Sequence, residues 1–402
     1  MEVKEYADWT IEIHRRSAAN RIPVGGSLEV THRCNNQCVH CYNNLPLHDK
    51  VARSKEITYE EHCRILDQIA ELGCLWLLFT GGEIFVRKDF LDIYTYAKQK
   101  GFLVTLFTNG TLITSRIADY LTQLRPFNIE ITLYGHTQKT YEQVTGVRGS
   151  FAKCMRGIRL LKERKLPLKL KTVAISSNKH ELWDMKHFVE DELGLEFRFD
   201  ALINARCDCS LGPLDVRLSP EEVVKIDLQD PQRADAYRNL LKRYDNFSNV
   251  RKDHKMVWQC SSGLNSFAID PFGMMRMCML FKNDGYDLVK GNFREGWEQF
   301  LYQLRQTKIS KETKCTGCAI RDMCGNCPAN AGLECQDEEA PVDFLCQVAH
   351  LRAHAFGIPI PPHGDCEYCE GGSRYQEMMR KVKSLIRTED WGLRTEYKIA
   401  QD

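Results

Sequence analysis

A chain of 402 residues, 43% of them hydrophobic, is long enough to bury one large core and to carry a smaller appended domain. Its 55 basic and 54 acidic side chains nearly cancel, which excludes a global field drawing it to nucleic acid or to a membrane; no run reaches the roughly 18 apolar residues of a spanning helix, and the charged start MEVKEYADWTIEIHRR is unlike a signal peptide. Its 18 cysteines, in a chain that these features assign to the reducing cytoplasm, point to metal or redox chemistry rather than to disulfides.

An N-terminal extension over 1–25 leads into a strand-like run, SLEVTH at 27–32. Immediately after it, VTHRCNNQCVHCYNN sets Cys34, Cys38 and Cys41 at CxxxCxxC spacing, three soft ligands with no fourth beside them. Thr58 and Glu61 read as a capping box opening a helix that closes at Gly73. The next strand, LWLLF at 75–79, ends in FTGGEIF: paired glycines, Gly81 and Gly82, allow backbone amides to approach a ligand, and the carboxylate of Glu83 can take a protonated amine. A helix over RKDFLDIYTYAKQKG ends at Gly101. Strands FLVTLF (102–107) and IEITL (129–133) follow, the first running into FTNG with Asn109, the second bearing Thr132 at its end.

A helix over SFAKCMRGIRLLKERK and strands LKLKTVAI (168–175) and FRFDALI (197–203) complete six βα units across 26–210. Such alternation predicts a parallel sheet, either open and doubly wound or a partial barrel, with ligands collecting at the C-terminal strand ends. Cys63, Cys74 and Cys154, alone within periodic apolar segments, read as core. Cys207 and Cys209 follow the sixth strand, where a thiol near the barrel mouth could donate a hydrogen atom to a substrate radical, though an exposed loop pair is the simpler reading.

Beyond 206 the βα rhythm stops. A linker over 211–255 contains a helix with Ser219 as N-cap and Pro220 in its first turn. CSSGLNSFAIDPFGMMRMC then predicts two short strands around the turn at 270–273, with Cys260 before the hairpin and Cys278 after it. CTGCAIRDMCGNCPANAGLEC and FLCQ add Cys315, Cys318, Cys324, Cys327, Cys335 and Cys346; HGDCEYCEGG adds Cys366 and Cys369, a pair within a turn able to reach a cluster or zinc; and 371–402 reads as a helical tail.

The CxxxCxxC run, with Gly81, Gly82 and Glu83 one strand later on a six-fold βα chain, resembles the radical S-adenosylmethionine (radical SAM) superfamily. Three thiolates can hold a [4Fe–4S] cluster with one iron lacking a protein ligand. The resemblance implies an α/β fold, a partial (β/α)6 TIM-type barrel, in which that iron chelates SAM and reductive cleavage yields a 5′-deoxyadenosyl radical that abstracts hydrogen from substrate. It implies Glu83 at the SAM amine, His40 near the adenine, Asn109 and Thr132 facing ribose or methionine groups, and Arg148 at the SAM carboxylate. A zinc site would want a fourth cysteine or histidine, for which His40 or His48 could serve.

The region 256–370 resembles the small cysteine-rich SPASM extension of such enzymes, with Gly273 to Cys278 as GX4C and Cys315, Cys318 and Cys324 at CX2CX5C; Cys324 to Cys327 is X2 where that pattern has X3. The resemblance implies two auxiliary [4Fe–4S] clusters, the outer on Cys315, Cys318, Cys324 and Cys346, the inner on Cys260, Cys278 and Cys327 with its fourth position either Cys335 or open. It also implies a peptide or protein substrate, crosslinked or epimerised, an external flavodoxin- or ferredoxin-type reductant, and leader recognition by a separate protein or by the barrel itself. Tetrapyrrole side-chain chemistry is an alternative, since it shares the CX2CX5CX2C variant; sulfatase maturation is another, although Met279 stands where those enzymes have a general-base aspartate. A multi-cluster electron carrier is the non-enzymatic alternative, but it would not need the glycine–glutamate motif.

Overall fold

The computed structural model describes residues 6–247, 255–361 and 363–387. It divides into two compact units that interleave along the chain: residues 1–218, 255–310 and 327–340 in the first, 219–254, 311–326 and 341–402 in the second.

The first unit is built on strands β1 (Gly25–Glu29), β2 (Trp76–Thr80), β3 (Leu103–Thr108), β4 (Asn128–Thr132), β5 (Leu168–Val173) and β6 (Glu196–Asp200). They pair parallel in strict chain order. A doubly wound sheet reverses its strand order at a switch point, and this order never reverses; the sheet is the partial barrel. The connections carry helices α2 (Tyr59–Glu71), α3 (Phe90–Gln99), α4 (Ser115–Gln123), α5 (Gln138–Thr145), α6 (Ser150–Glu163) and α7 (Leu182–His187), after an opening helix α1 (Tyr6–Ala19) in the N-terminal extension. The expected capping box opens α2: the Thr58 hydroxyl accepts from the Glu61 amide and the Glu61 carboxylate from the Thr58 amide. The sixth strand ends at Asp200, short of the expected 203, because the Asp200 carboxylate accepts the Leu202 amide at 3.0 Å and turns the chain.

Strand alternation gives the sheet two unlike faces. Leu106, Ile129, Ile131 and Leu170, fully buried, form the apolar one. On the other face, register sets Phe107 beside Glu130, Glu130 beside Lys169, Thr132 beside Lys171, and Lys171 beside Arg198. This is the inner face of the barrel, and it is lined by acids and bases.

The predicted hairpin forms as β7 (Ser266–Ile269) and β8 (Met274–Arg276), followed by β9 (Tyr286–Asp287). β7 pairs parallel with β1, Ser266 against Gly25, so these strands extend the barrel sheet beyond its first strand to give nine in all. The second unit contains α8 (Pro220–Gln229), α9 (Pro231–Phe247), α10 (Asp343–Ala355) and α11 (Tyr375–Arg387). Ser219 and Glu222 cap α8 reciprocally, with Pro220 at its first position. Asp227, fully buried on α8, is satisfied by Arg352 of α10 and by Arg233, each with a nitrogen at 2.6 Å. No helix among the described residues is long and apolar enough to cross a membrane. Residues 388–402 of the expected tail lie outside the described residues.

Candidate active site at the strand ends

Past the end of β1 the chain makes a short loop closed by a two-residue parallel ladder, Arg33 and Cys34 against Leu45 and Pro46. The loop between is pinned to the last turn of α5 and to the segments that follow β3 and β6. The Gln37 and Val39 amides donate to the carbonyls of Thr145 and Val144 at 2.8 and 3.1 Å, and Asn35 donates to the Thr111 hydroxyl at 2.8 Å. From beyond β6, the Arg206 guanidinium donates to the Cys41 carbonyl at 3.1 Å and to Asn44. The loop therefore holds the three cysteines close together: after burial, the larger cause, Cys41 raises the Cys34 thiol, and Cys41 and Cys34 raise that of Cys38. Burial pushes the Cys34 thiol up to about 12 and raises Cys38 and Cys41 too, so metal loading must displace protons from all three.

Unsatisfied polar atoms mark the same place. Both side-chain amide atoms of Asn36, 1% exposed, and Nδ1 of His40 are buried without a hydrogen-bond partner. Burial drives the His40 imidazole down to about 4, and its ring lies 5.0 Å from that of Tyr134. A buried polar group left unpaired costs about 1–3 kcal/mol, which a bound ligand would recover. Three converging soft donors beside orphaned polar atoms fit a [4Fe–4S] cluster with a polar small molecule at its side.

Gly81 and Gly82 serve the protein's own backbone before any ligand. A Cβ on Gly82 would lie 2.4 Å from the Arg33 carbonyl oxygen and one on Gly81 2.1 Å from that of Thr31. The amides of Gly82 and Glu83 donate to those same carbonyls, Thr31 and Arg33, at 2.7 and 3.0 Å. The Gly82 amide, expected to face a ligand, is thus spent, with that of Glu83, on joining the end of β2 to the cysteine loop. Glu83 is 1% exposed: one carboxylate oxygen accepts from the Thr108 hydroxyl at 2.7 Å and from the Phe85 amide, the other from the Asn109 amide at 2.7 Å. Burial raises its carboxyl to about 7 despite these donors. Asn109 is a brace: its Nδ2 donates to Asn35 at 3.0 Å and points at the Cys34 sulfur, while its Oδ1 accepts from Thr111. Thr132 is half-buried at the end of β4, and Arg148 is exposed on the turn between α5 and α6.

Several site residues carry no sequence signature. Glu29, 2% exposed at the end of β1, accepts from Asn43 at 2.5 Å and lies 3.2 Å from the Lys282 ammonium and 3.3 Å from His32. Although burial works the other way, these partners hold its carboxyl below the usual range. Cys207 reaches this cluster: its amide donates to the Tyr42 carbonyl at 2.8 Å, and its thiol lies 3.9 Å from the Met279 carbonyl. On the inner sheet face, the Lys171 ammonium sits 3.1 Å from Glu130 and over the Phe107 ring, and burial lowers it to about 8. A glutamate inside a strand run and an arginine beside a cysteine pair are common, and only the fold turns them inward.

The C-terminal cysteines gather in two places. In the first unit, Cys278 lies within electrostatic reach of Cys327 and Cys260, and burial pushes it up to about 11. Cys335 ends the helix Pro328–Cys335, exposed; the charges that act on it are Glu334 and Asp337, with no cysteine among them. In the second unit, Cys315, Cys318, Cys324 and Cys346 line one cavity. Cys74 and Cys154 are buried, as expected of core residues, and Cys63 is partly exposed on α2.

Residues 28–189 match the family profile described as the radical SAM superfamily. Over 315 residues the chain is 26% identical to the antilisterial bacteriocin subtilosin biosynthesis protein AlbA of Bacillus subtilis, an alignment covering 76% of this chain and 67% of that protein. It is 24% identical over 327 residues to an AdoMet-dependent heme synthase of Methanosarcina barkeri, covering 75% and 90% respectively. Among solved structures, Streptococcus suis SuiB bound to S-adenosylmethionine shares the fold with a TM-score of 0.59 at 14% identity, over 86% of this chain and 82% of that one.

Proposed function

We propose that this chain, a radical SAM enzyme by its domain at residues 28–189, modifies a ribosomally made peptide by thioether or carbon–carbon crosslinking or by epimerisation. The observation that carries this reading is the inner face of the barrel sheet. From the cysteine loop it runs across Phe107, Glu130, Lys171 and Arg198 to β6, whose Glu196, Arg198 and Asp200 are exposed. An extended peptide presents backbone donors and acceptors and charged side chains, and a polar sheet face ending at an edge strand offers partners for each. The relationship to a bacteriocin-biosynthesis protein supports the same substrate class.

When bound, a [4Fe–4S] cluster on Cys34, Cys38 and Cys41 together with SAM supplies a reductively generated 5′-deoxyadenosyl radical that can take a hydrogen atom from the substrate. The chain's own residues would set the stage for it. Ionised Glu83 receives the SAM ammonium, and His40 and Asn36 offer their unpaired atoms to its remaining polar groups. Arg206 and Asn109 hold the cysteine loop in place, and the Glu29–Lys282 pair keeps water from the end of β1. Lys171 and Glu130 fix the charged groups of the peptide. Thr132 would face the ribose or methionine groups of SAM, and Arg148 would meet its carboxylate. Auxiliary [4Fe–4S] clusters belong on Cys315, Cys318, Cys324 and Cys346 and on Cys260, Cys278 and Cys327. A flavodoxin- or ferredoxin-type protein delivers the electron, and the leader is read by a separate protein or by the barrel.

A second reading, modification of a porphyrin side chain, draws on the heme synthase relative, whose length the alignment covers more fully. One experiment separates the two. The anaerobically loaded chain is given SAM, dithionite and, in parallel, a candidate ribosomally made precursor peptide or an iron porphyrin. The peptide should lose two hydrogens on crosslinking, or take up solvent deuterium on epimerisation, with 5′-deoxyadenosine formed alongside. Turnover of the porphyrin with an unaltered peptide would overturn the proposal.

A further inference from the structure

Two of the cysteines outside the cluster sets, Cys366 and Cys369, do not lie in a loose turn. Both are buried, and they face two histidines: the Cys366 sulfur lies 3.4 Å from His350 Nε2, and the Cys369 sulfur lies 3.7 Å from that nitrogen and 3.5 Å from His363 Nδ1. One ligand atom from each of the four residues falls within 4.8 Å of all the others. In a tetrahedral zinc site, bonds of about 2.3 Å to sulfur and 2.0–2.1 Å to nitrogen set each sulfur–nitrogen edge at about 3.5 Å. The observed edges scatter around that length.

The surroundings are those of a built ligand set. His350 stands on α10, and its Nδ1 donates to the Cys346 carbonyl at 2.8 Å. That bond leaves Nε2 as the lone-pair nitrogen aimed at the two sulfurs, the outer hydrogen bond that metal-bound imidazoles use. The turn bearing the cysteines is held on three sides. Lys314 pairs with Glu367 at 2.7 Å, the Tyr368 hydroxyl donates to Asp343 at 2.6 Å, and Gly372 packs so tightly that a Cβ would lie 2.5 Å from the Glu367 carbonyl oxygen. Ser or Ala at 372 would open the turn and separate the sulfurs.

We propose that His350, His363, Cys366 and Cys369 form a structural zinc site of the Cys2His2 type, separate from the iron–sulfur ligands. Four protein ligands leave no open position, so the site binds metal to hold the fold rather than to react. It fastens α10 to the segment that leads into α11, adding to the Tyr368–Asp343 hydrogen bond and the Arg374–Asp343 ion pair at 3.3 Å that already join them. Iron–sulfur clusters are held chiefly by thiolates on several irons, whereas two imidazoles and two thiols converging on a single point suit one divalent ion. Cys346 borders the site, its sulfur 3.6 Å from His350 Nδ1 and within hydrogen-bonding reach of Cys366, and His350 and His363 line the same cavity as Cys315, Cys318, Cys324 and Cys346, so the four zinc ligands stand beside that cluster set without drawing a ligand from it. The inference does not depend on the identity of the enzyme's substrate.

The test uses the full chain, purified anaerobically with its iron–sulfur clusters reconstituted. Elemental analysis should find roughly one zinc per chain in addition to iron. The Cys366→Ser/Cys369→Ser variant should lose the zinc and keep the iron and acid-labile sulfide, while Cys63→Ser keeps all three. Cobalt(II) exchanged into the unmodified chain needs no variant to fold, and should show the intense visible bands of a tetrahedral site with sulfur-to-cobalt charge transfer. Absence of zinc together with absence of those bands would overturn the proposal. So would loss of iron in place of zinc from the double variant, because Cys366 and Cys369 would then be cluster ligands.

Discussion

Glu83 is surrounded by three protein donors and still has its carboxyl raised to about 7, because burial outweighs them. Its ionised form lacks a cation, and a SAM ammonium would provide one. Glu83→Gln keeps the shape, removes the charge and turns an amide group toward a donor. A charge-assisted hydrogen bond contributes roughly 1.5–3 kcal/mol, so SAM should bind about ten- to a hundredfold more weakly, with iron content unchanged. Equilibrium dialysis of the cluster-loaded variant measures this, and an unaltered dissociation constant would leave Glu83 only its role at the turn. Lys171 gives a separate pH signature. Burial lowers it from 10.5 to about 8, so between those values the unfolded chain holds a proton that the folded chain has released. Stability must therefore rise with pH across that window through this residue. Denaturant unfolding from pH 8 to 10 should show the wild type gaining on Lys171→Gln, and parallel curves would mean that Lys171 is solvated. The cysteines and Glu83 were legible in the sequence because their spacing is tied to strand ends. Glu29, Lys282 and Arg206 were not, because an ion pair closed across 253 positions has no local pattern.

At the scale of elements, the Thr58–Glu61 capping box, the Ser219 N-cap and six strands could be read locally, since side-chain spacing and helix starts are local properties. What escaped was pairing. β7 lies beside β1 although more than two hundred positions separate them, and nothing in SFAI names its partner. The glycine pair was legible as a motif, but a second purpose was not: it lets the end of β2 close on the loop that carries the cysteines. Gly82→Ala therefore tests a junction rather than a ligand contact. A methyl group 2.4 Å from the Arg33 carbonyl oxygen forces the loop away from β2, which should destabilise the chain by about 1–3 kcal/mol and lower iron retention at Cys34. Gly101→Ala, which meets nothing within 4 Å but strains a positive φ, is the control for backbone strain alone. Iron analysis after a mild chelator challenge compares them. Equal iron retention would remove the junction from the account.

For the whole molecule, contiguous segments drawn along the chain could not show that the two compact units share it in alternating stretches. The division nevertheless keeps each proposed ligand set within one unit: Cys34, Cys38 and Cys41, and separately Cys260, Cys278 and Cys327, in the first; Cys315, Cys318, Cys324 and Cys346 in the second. Each set can then be lost without dismantling the others. The central claim is that the three cysteines after β1 hold the cluster at which SAM is cleaved. The most direct measurement compares the anaerobically reconstituted wild type with the Cys34→Ala/Cys38→Ala/Cys41→Ala variant, assaying iron, acid-labile sulfide and 5′-deoxyadenosine formed from SAM and dithionite. The account predicts that the variant loses one cluster's share of iron and sulfide, keeps the remainder, and forms no 5′-deoxyadenosine. Undiminished SAM cleavage by the variant, or zinc without acid-labile sulfide at these three cysteines in the wild type, would contradict it.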